Sequence, residues 1–274
     1  MPDSERQHHR YLRYVALGDS QTEGLGDGDD TAGLRGFADR FAERLAVHSP
    51  GLTYANLAVR GRLAGQVRAG QLDAALALRP DLATVVAGVN DMLRPSFDAD
   101  EVAGHLEAMF AALTAQGARV VTVTFPDITR LVPLARPLGA RVHALNERIR
   151  EAGGRHGVVV ADTAPYPVVT DPRLWSPDRL HASPLGHERI AEALAAAIRL
   201  PGSGDAWTHP LPAPPVPAPT GLRAAAAELR WAAAFLGPWL GRRLRGRSSG
   251  DERTARRPSL LPVRLPAVQA PPGA

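Results

Sequence analysis

The chain of 274 residues contains no cysteine and no lysine. Without cysteine it can form no disulfide, offer no thiolate nucleophile and hold no cysteine-ligated zinc. All 32 basic side chains are therefore arginines. Because the chain is also rich in alanine, we interpret the arginine usage as a coding bias and expect no nucleic-acid partner.

Long apolar runs are lacking as well. No stretch of about 18 apolar residues occurs, so we expect no transmembrane helix. The N-terminal sequence MPDSERQHHRYLRYVAL has no apolar segment after its charged start, so we expect no signal peptide and a cytoplasmic location. Hydrophobic residues make up 45% of the chain, which is enough for a packed core.

The charge is unevenly distributed along the chain. Residues 1–200 carry 22 arginines against 24 carboxylates, a net charge of −2, whereas residues 201–274 carry 10 against 4, a net charge of +6. Such an asymmetry is typical of a nearly neutral domain followed by a basic tail that can bind a surface.

Short apolar runs alternate with helix-like stretches through the first 200 residues. The runs cover 12–17, 53–58, 82–87, 119–124 and 157–161, and the helix-like stretches cover about 34–48, 63–78, 99–116, 139–155 and 184–199. This rhythm predicts an α/β domain over residues 10–200, with a five-stranded parallel sheet covered by helices on both faces. Ligands of such sheets bind at the carboxyl ends of the strands.

Three further segments follow the predicted domain. Residues 201–220 are dense in proline and predict an extended linker. Residues 221–247 predict a basic amphipathic helix, interrupted at Pro238, that packs on its own domain or on a protein partner. Docking of this helix on anionic lipid is the alternative. Residues 248–274 are polar and rich in proline, so we expect them to be disordered.

Polar residues that suit acyl transfer follow the predicted strands. Ser20 ends the first run in the stretch GDS, Gly61 lies in a turn after the second, and Asn90 follows the third. Asp178 stands three residues before His181, just ahead of the last helix. We predict that Ser20 is the nucleophile, His181 its base and Asp178 the group that orients the histidine. The Ser20 and Gly61 N–H groups and the Asn90 amide are candidates for an oxyanion hole.

Each of these residues has a structural alternative when it is taken alone. A serine in such a loop is usually a turn or cap residue, and Gly61 competes with nearby Gly65 for its role. We interpret Asp19 and Asp91 as residues that brace their loops. His187 is the rival of His181, but no carboxylate precedes it by three residues, so we expect it to pack or to face solvent.

The stretch GDSQTEG resembles the first block of the GDSL, or SGNH, hydrolase family. Candidates for the four residues of the family name follow in order: Ser20, Gly61, Asn90 and His181, over about residues 12–200. The resemblance implies a flavodoxin-like three-layer α/β/α fold and hydrolysis of esters or thioesters without a metal or another cofactor. Gln21 stands where the family name has leucine, and we expect this difference to be minor.

We therefore predict a serine hydrolase that acts on a small-molecule ester or thioester. The alternative is a catalytically silent protein of the same fold that works as a scaffold through its basic tail. Residues 125–145 and 163–175 are predicted to wall the substrate pocket, and their apolar side chains indicate an apolar acyl or alcohol group.

Overall fold

The computed structural model describes residues 10–213, 221–238, 241, 245 and 248–265. Its strands are β1 (Arg13–Gly18), β2 (Gly28–Asp29), β3 (Gly33–Leu34), β4 (Thr53–Asn56), β5 (Leu82–Val86), β6 (Arg119–Val123), β7 (Val159–Ala161) and β8 (Arg257–Pro262). The short strands β2 and β3 form a separate antiparallel pair. The other six form one sheet in the order β7-β6-β5-β1-β4-β8.

The five strands from β7 to β4 run parallel. Counted along the chain among themselves, they have the order 2-1-3-4-5 of flavodoxin-like folds. The side chains of β1 and β5 are buried almost without interruption, as expected for strands covered on both faces. In β1, the Tyr14 ring stacks on Tyr54 of β4 at 5.0 Å between centroids.

The helices are α1 (Ser20–Glu23), α2 (Phe37–His48), α3 (Ala64–Ala77), α4 (Val89–Met92), α5 (Ala99–Ala115), α6 (Gly139–His156), α7 (Pro184–Ala197) and α8 (Gly221–Trp231). Helix α2 packs against α7, while α5 packs against both α3 and α6. These two groups flank the sheet. The predicted α/β sandwich with a parallel sheet is thereby confirmed.

The prediction of five strands is wrong, because β8 adds a sixth, antiparallel strand beside β4. Its segment contains Pro258 and Pro262. Proline is typical of disordered segments, but it is also tolerated on edge strands. The Arg257 Nε–H donates to the Tyr54 carbonyl at 2.7 Å, and its guanidinium lies 5.0 Å from the centre of the Tyr54 ring. The expected disorder therefore does not hold for Arg257–Pro262.

Helix α8 contacts the domain at Arg179, a few residues before α7. Arg179 donates to both carboxylate oxygens of Glu228, at 2.8 and 2.7 Å, and its guanidinium lies 4.9 Å from the centre of the Trp231 ring. After Trp231 the chain continues as a π-helical turn, Ala232–Leu236. Parts of the predicted linker (214–220), basic helix (239, 240, 242–244, 246 and 247) and tail (266–274) lie outside the described residues.

The described residues include no helix with the length and apolar character that crossing a membrane requires.

Candidate active site

The position of Ser20 is fixed by the abrupt end of β1. A Cβ at Gly18 would come within 2.4 Å of the Val86 carbonyl oxygen, so only glycine fits where the chain leaves the sheet. The side-chain amide of Gln71 holds Gly18 by accepting from its N–H and donating to its carbonyl, both at 2.9 Å. Asp19 then caps α1 by accepting from the Gln21 N–H at 3.3 Å. Ser20 therefore begins a helix at the carboxyl edge of the sheet.

Ser20, His181 and Asp178 form a continuous chain of hydrogen bonds. The distance from His181 Nε2 to Ser20 Oγ is 2.9 Å, and the distance from His181 Nδ1 to Asp178 Oδ2 is 2.6 Å. With the ring proton on Nδ1 donated to the carboxylate, Nε2 is free to accept the serine proton. This arrangement can deliver a serine alkoxide to a carbonyl carbon.

The carboxylate of Asp178 is held by its own loop, residues 176–182, which we term the histidine loop. Oδ1 accepts from Ser176 Oγ at 2.6 Å and from the backbone N–H groups of Leu180 and His181 at 2.9 and 3.0 Å. Burial alone would raise the pKa of Asp178, but its hydrogen bonds and the nearby His181 outweigh burial and hold that pKa well below its usual range. The side chain is therefore ionised at neutral pH.

Gln21 contacts the histidine loop directly, contrary to the minor role expected for it. Its Nε2 donates to the Leu180 carbonyl at 2.7 Å, and its Oε1 accepts from the Ala182 N–H at 3.2 Å. Both partners lie 159 or more residues away in sequence, so no local pattern could indicate them. The one available signal was that a hydrogen-bonding side chain stands where the family name has leucine.

Asn90 contacts the residue before Ser20 and the residue after Gly61. Asn90 Nδ2 donates to Asp19 Oδ2 at 3.1 Å and to the carbonyl of Arg62 at 3.0 Å. Gly61 precedes Arg62 in the turn between β4 and α3 and has a φ of +75°, a left-handed conformation that favours glycine. Hydrogen bonds thus link Asn90 to the residues adjacent to Ser20 and to Gly61. Gly65, the rival glycine, lies within α3 against His105.

Two buried carboxyl groups brace this region. Burial raises the pKa of Asp19 to about 7, although bonds from Gln21 and Asn90 and the proximity of His181 oppose the increase. Asp91 Oδ2 accepts from the Ala64 N–H at 3.0 Å, at the first residue of α3. Both residues therefore hold loop and helix ends in place.

His187 is fully buried and holds two backbone groups. Its Nδ1 accepts from the Phe37 N–H at 3.0 Å, and its Nε2 donates to the Leu25 carbonyl at 2.9 Å. Burial lowers its pKa to about 4, so the ring is neutral at physiological pH. His187 therefore packs in the interior and does not face solvent. Ser183 caps α7 by accepting from the Gly186 N–H at 3.2 Å.

Asp27 and Asp30 of the acidic stretch 27–30 are paired with arginines. Asp27 contacts Arg40 at 2.7 Å, while Asp30 contacts Arg60 at 2.7 Å and Arg253 at 2.8 Å. In the described part of the chain, no three or more histidine, aspartate or glutamate side chains are grouped so that they could hold a metal ion.

An apolar cavity of about 90 Å³ adjoins the histidine loop. Leu180, Ala182 and Gln21 form part of its lining. The two segments predicted as pocket walls contribute as well, through side chains that include Phe125, Ile128, Val169, Leu174 and Trp175. The cavity can accommodate a small apolar group beside Gln21, the residue that follows Ser20.

Residues 16–189 match the family model described as GDSL-like Lipase/Acylhydrolase family. No curated protein matches the sequence.

Several solved structures share the fold. A lipase/acylhydrolase from Enterococcus faecalis is 23% identical, with a TM-score of 0.57 and coverage of 69% of this chain and 95% of the other. LAE5, an alpha/beta hydrolase enzyme from the metagenome of Lake Arreo, is 22% identical, with a TM-score of 0.58 and coverage of 69% and 95%. A variant of Axe2, an acetyl xylan esterase from Geobacillus stearothermophilus, is 18% identical, with a TM-score of 0.56 and coverage of 68% and 94%.

Proposed function

Since this chain belongs to the GDSL-like lipase/acylhydrolase family and is a hydrolase that acts on esters, we propose that Ser20, His181 and Asp178 form its catalytic triad. The observation that carries the proposal is the pair of hydrogen bonds, 2.9 and 2.6 Å long, from Ser20 Oγ through the His181 ring to Asp178. The substrate class that we propose is a small-molecule carboxylic ester or thioester.

The reaction begins with attack of Ser20 Oγ on the acyl carbonyl carbon while His181 Nε2 takes the hydroxyl proton. Asp178 keeps the other ring nitrogen protonated and stabilises the imidazolium that forms. As the tetrahedral intermediate collapses, the bond to the leaving alcohol or thiol breaks, and that group takes the proton from Nε2. A water molecule then attacks the acyl-enzyme, again with His181 as base, and releases the acid and free Ser20.

The proposed oxyanion hole consists of the Ser20 and Gly61 N–H groups and the Asn90 amide. Asn90 donates to Asp19 and to the Arg62 carbonyl, so the oxyanion would replace one of these two acceptors. Each such donor typically contributes roughly 10²–10³ in rate.

The cavity next to the histidine loop supports a short apolar acyl group, because its lining is largely apolar and includes Leu180 and Ala182.

Axe2 offers a parallel for the triad. In structures described as catalytic mutants of that enzyme, a serine, an aspartate or a histidine is replaced by alanine, and the aspartate stands three residues before the histidine. Asp178 and His181 have the same spacing.

Replacing Ser20 by alanine tests the proposal. With p-nitrophenyl butyrate as substrate, we expect kcat of Ser20→Ala to fall by roughly 10³–10⁶ while the circular dichroism spectrum stays unchanged. Ser203→Ala is the matched control, since its hydroxyl donates to the Leu200 carbonyl in the turn after α7. Hydrolysis by Ser20→Ala at the wild-type rate would exclude Ser20 as the nucleophile.

A further inference from the structure

We propose that Gln21 is a positioning residue that fixes the catalytic geometry of His181. This inference rests on the proposed function, because it takes His181 as the base. It starts from the two hydrogen bonds of the Gln21 side-chain amide. One reaches the peptide group before His181, through the Leu180 carbonyl, and the other reaches the peptide group after it, through the Ala182 N–H.

The backbone of His181 is held from the opposite side by its own loop. Its N–H donates to Asp178 Oδ1 at 3.0 Å, and its carbonyl accepts from the Ser176 N–H at 2.8 Å. Within one trans peptide group the N–H and the C=O point in opposite directions. The Gln21 amide therefore bonds to the two peptide groups that flank His181 on the side opposite to the loop's own contacts.

Gln21 also connects the base to the nucleophile, because it directly follows Ser20 in α1. Ser183, the residue after the histidine loop, donates from its N–H to the Leu174 carbonyl at 2.9 Å, which fixes the end of that loop relative to the preceding chain. The Gln21 amide instead fixes the loop relative to α1. It thereby sets the 2.9 Å distance between Ser20 Oγ and His181 Nε2.

Neither leucine nor glutamate can replace both bonds. Leucine offers no hydrogen-bonding atom, so the Leu180 carbonyl and the Ala182 N–H would lose their partner in a partly buried site. An ionised glutamate would still accept from Ala182 but would repel the Leu180 carbonyl. Its negative charge near His181 would also favour the imidazolium form.

Variants of Gln21 in the full chain provide the test, with p-nitrophenyl butyrate as substrate. Active sites are counted by covalent labelling with a fluorophosphonate, so that kcat is expressed for each reactive serine. We expect kcat to fall about 10–100-fold in Gln21→Met and Gln21→Leu, with KM changed less than about threefold, because a misplacement of about 1 Å can cost about 10² in rate. In Gln21→Glu we also expect the acidic limb of the kcat/KM profile to move to higher pH.

Gln116→Met is the matched control, since it also removes an amide bond to a backbone carbonyl, that of Leu76, far along the chain from the site. A purely structural role for Gln21 would lower the melting temperature and the labelled fraction but leave kcat per labelled site within twofold of wild type, and this result would overturn the inference. If the wild-type chain neither labels nor turns over, the proposed function itself fails, which is a separate outcome.

Discussion

Two histidines six residues apart have different surroundings in this molecule. His181 bonds to two side chains, Ser20 and Asp178, which suits a group that exchanges a proton. His187 bonds to two backbone groups, the Phe37 N–H and the Leu25 carbonyl, and is fully buried. Protonation of His187 would place its Nδ1–H against the Phe37 N–H, so that two donors face each other at the first residue of α2. We therefore assign it a role in stability.

Because His187 is buried in its neutral form, we expect it to make the free energy of unfolding depend on pH. Burial lowers its pKa in the folded protein to about 4, below the ordinary value of about 6.5. The contribution of His187 to the free energy of unfolding is therefore fully present above about pH 6.5. It is lost as the pH falls toward 4, and the total loss is at most about 3 kcal/mol. Urea unfolding of wild type and His187→Gln at pH 7.5 and 4.5 measures this.

In that experiment, the loss of stability between the two pH values should be smaller in His187→Gln than in wild type. Equal losses would contradict the assignment. The kcat per labelled site of the variant should stay near that of wild type, in contrast to His181→Ala.

Strand β8 and the residue before it connect the C-terminal segment to β4 and to the helices α1 and α2. Arg256, the residue before β8, donates to the Glu23 carbonyl at 2.9 Å and pairs with the carboxylate of Asp39. Burial raises the pKa of Asp39 although Arg256 opposes the increase, and the carboxylate also accepts from Gly36 N–H at the start of α2. The strand thus stabilises both the sheet edge and a helix terminus.

Arg256→Ala should therefore destabilise the protein. Leaving the partly buried Asp39 without its partner costs about 1–3 kcal/mol, which corresponds to a decrease of about 2–10 °C in melting temperature. The exposed Arg264 gives the matched control, Arg264→Ala, for which we expect almost no change. Equal melting temperatures for the two variants, measured by differential scanning fluorimetry, would show that β8 does not anchor through Arg256.

The sequence predicts the five parallel strands because buried runs such as β5 carry their own pattern. It also finds Asp178 and His181, because their contact spans only three residues. It misses β8, whose prolines resemble those of a disordered tail and whose partner β4 is 203 residues away in the Arg257–Tyr54 contact. The partners of Gln21 are missed for the same reason. Contacts between distant segments leave no periodicity in either one.

Three arginines of the basic C-terminal region contact the α/β domain of the same chain. Arg253 pairs with Asp30, Arg256 with Asp39, and Arg257 with the backbone and ring of Tyr54. These arginines are engaged within the chain, which weakens the alternative of a silent scaffold that works through its basic tail. The hydrogen-bonded set around Ser20 favours an active enzyme instead.

Ser20 is the proposed nucleophile, activated by His181. Mass spectrometry of the full chain after brief exposure to a fluorophosphonate at pH 7.5, followed by peptide mapping, tests this role. We expect one adduct per chain, on Ser20, which forms far more slowly in His181→Ala and not at all in Ser20→Ala. An unlabelled wild-type chain, or an adduct on another serine, would contradict it.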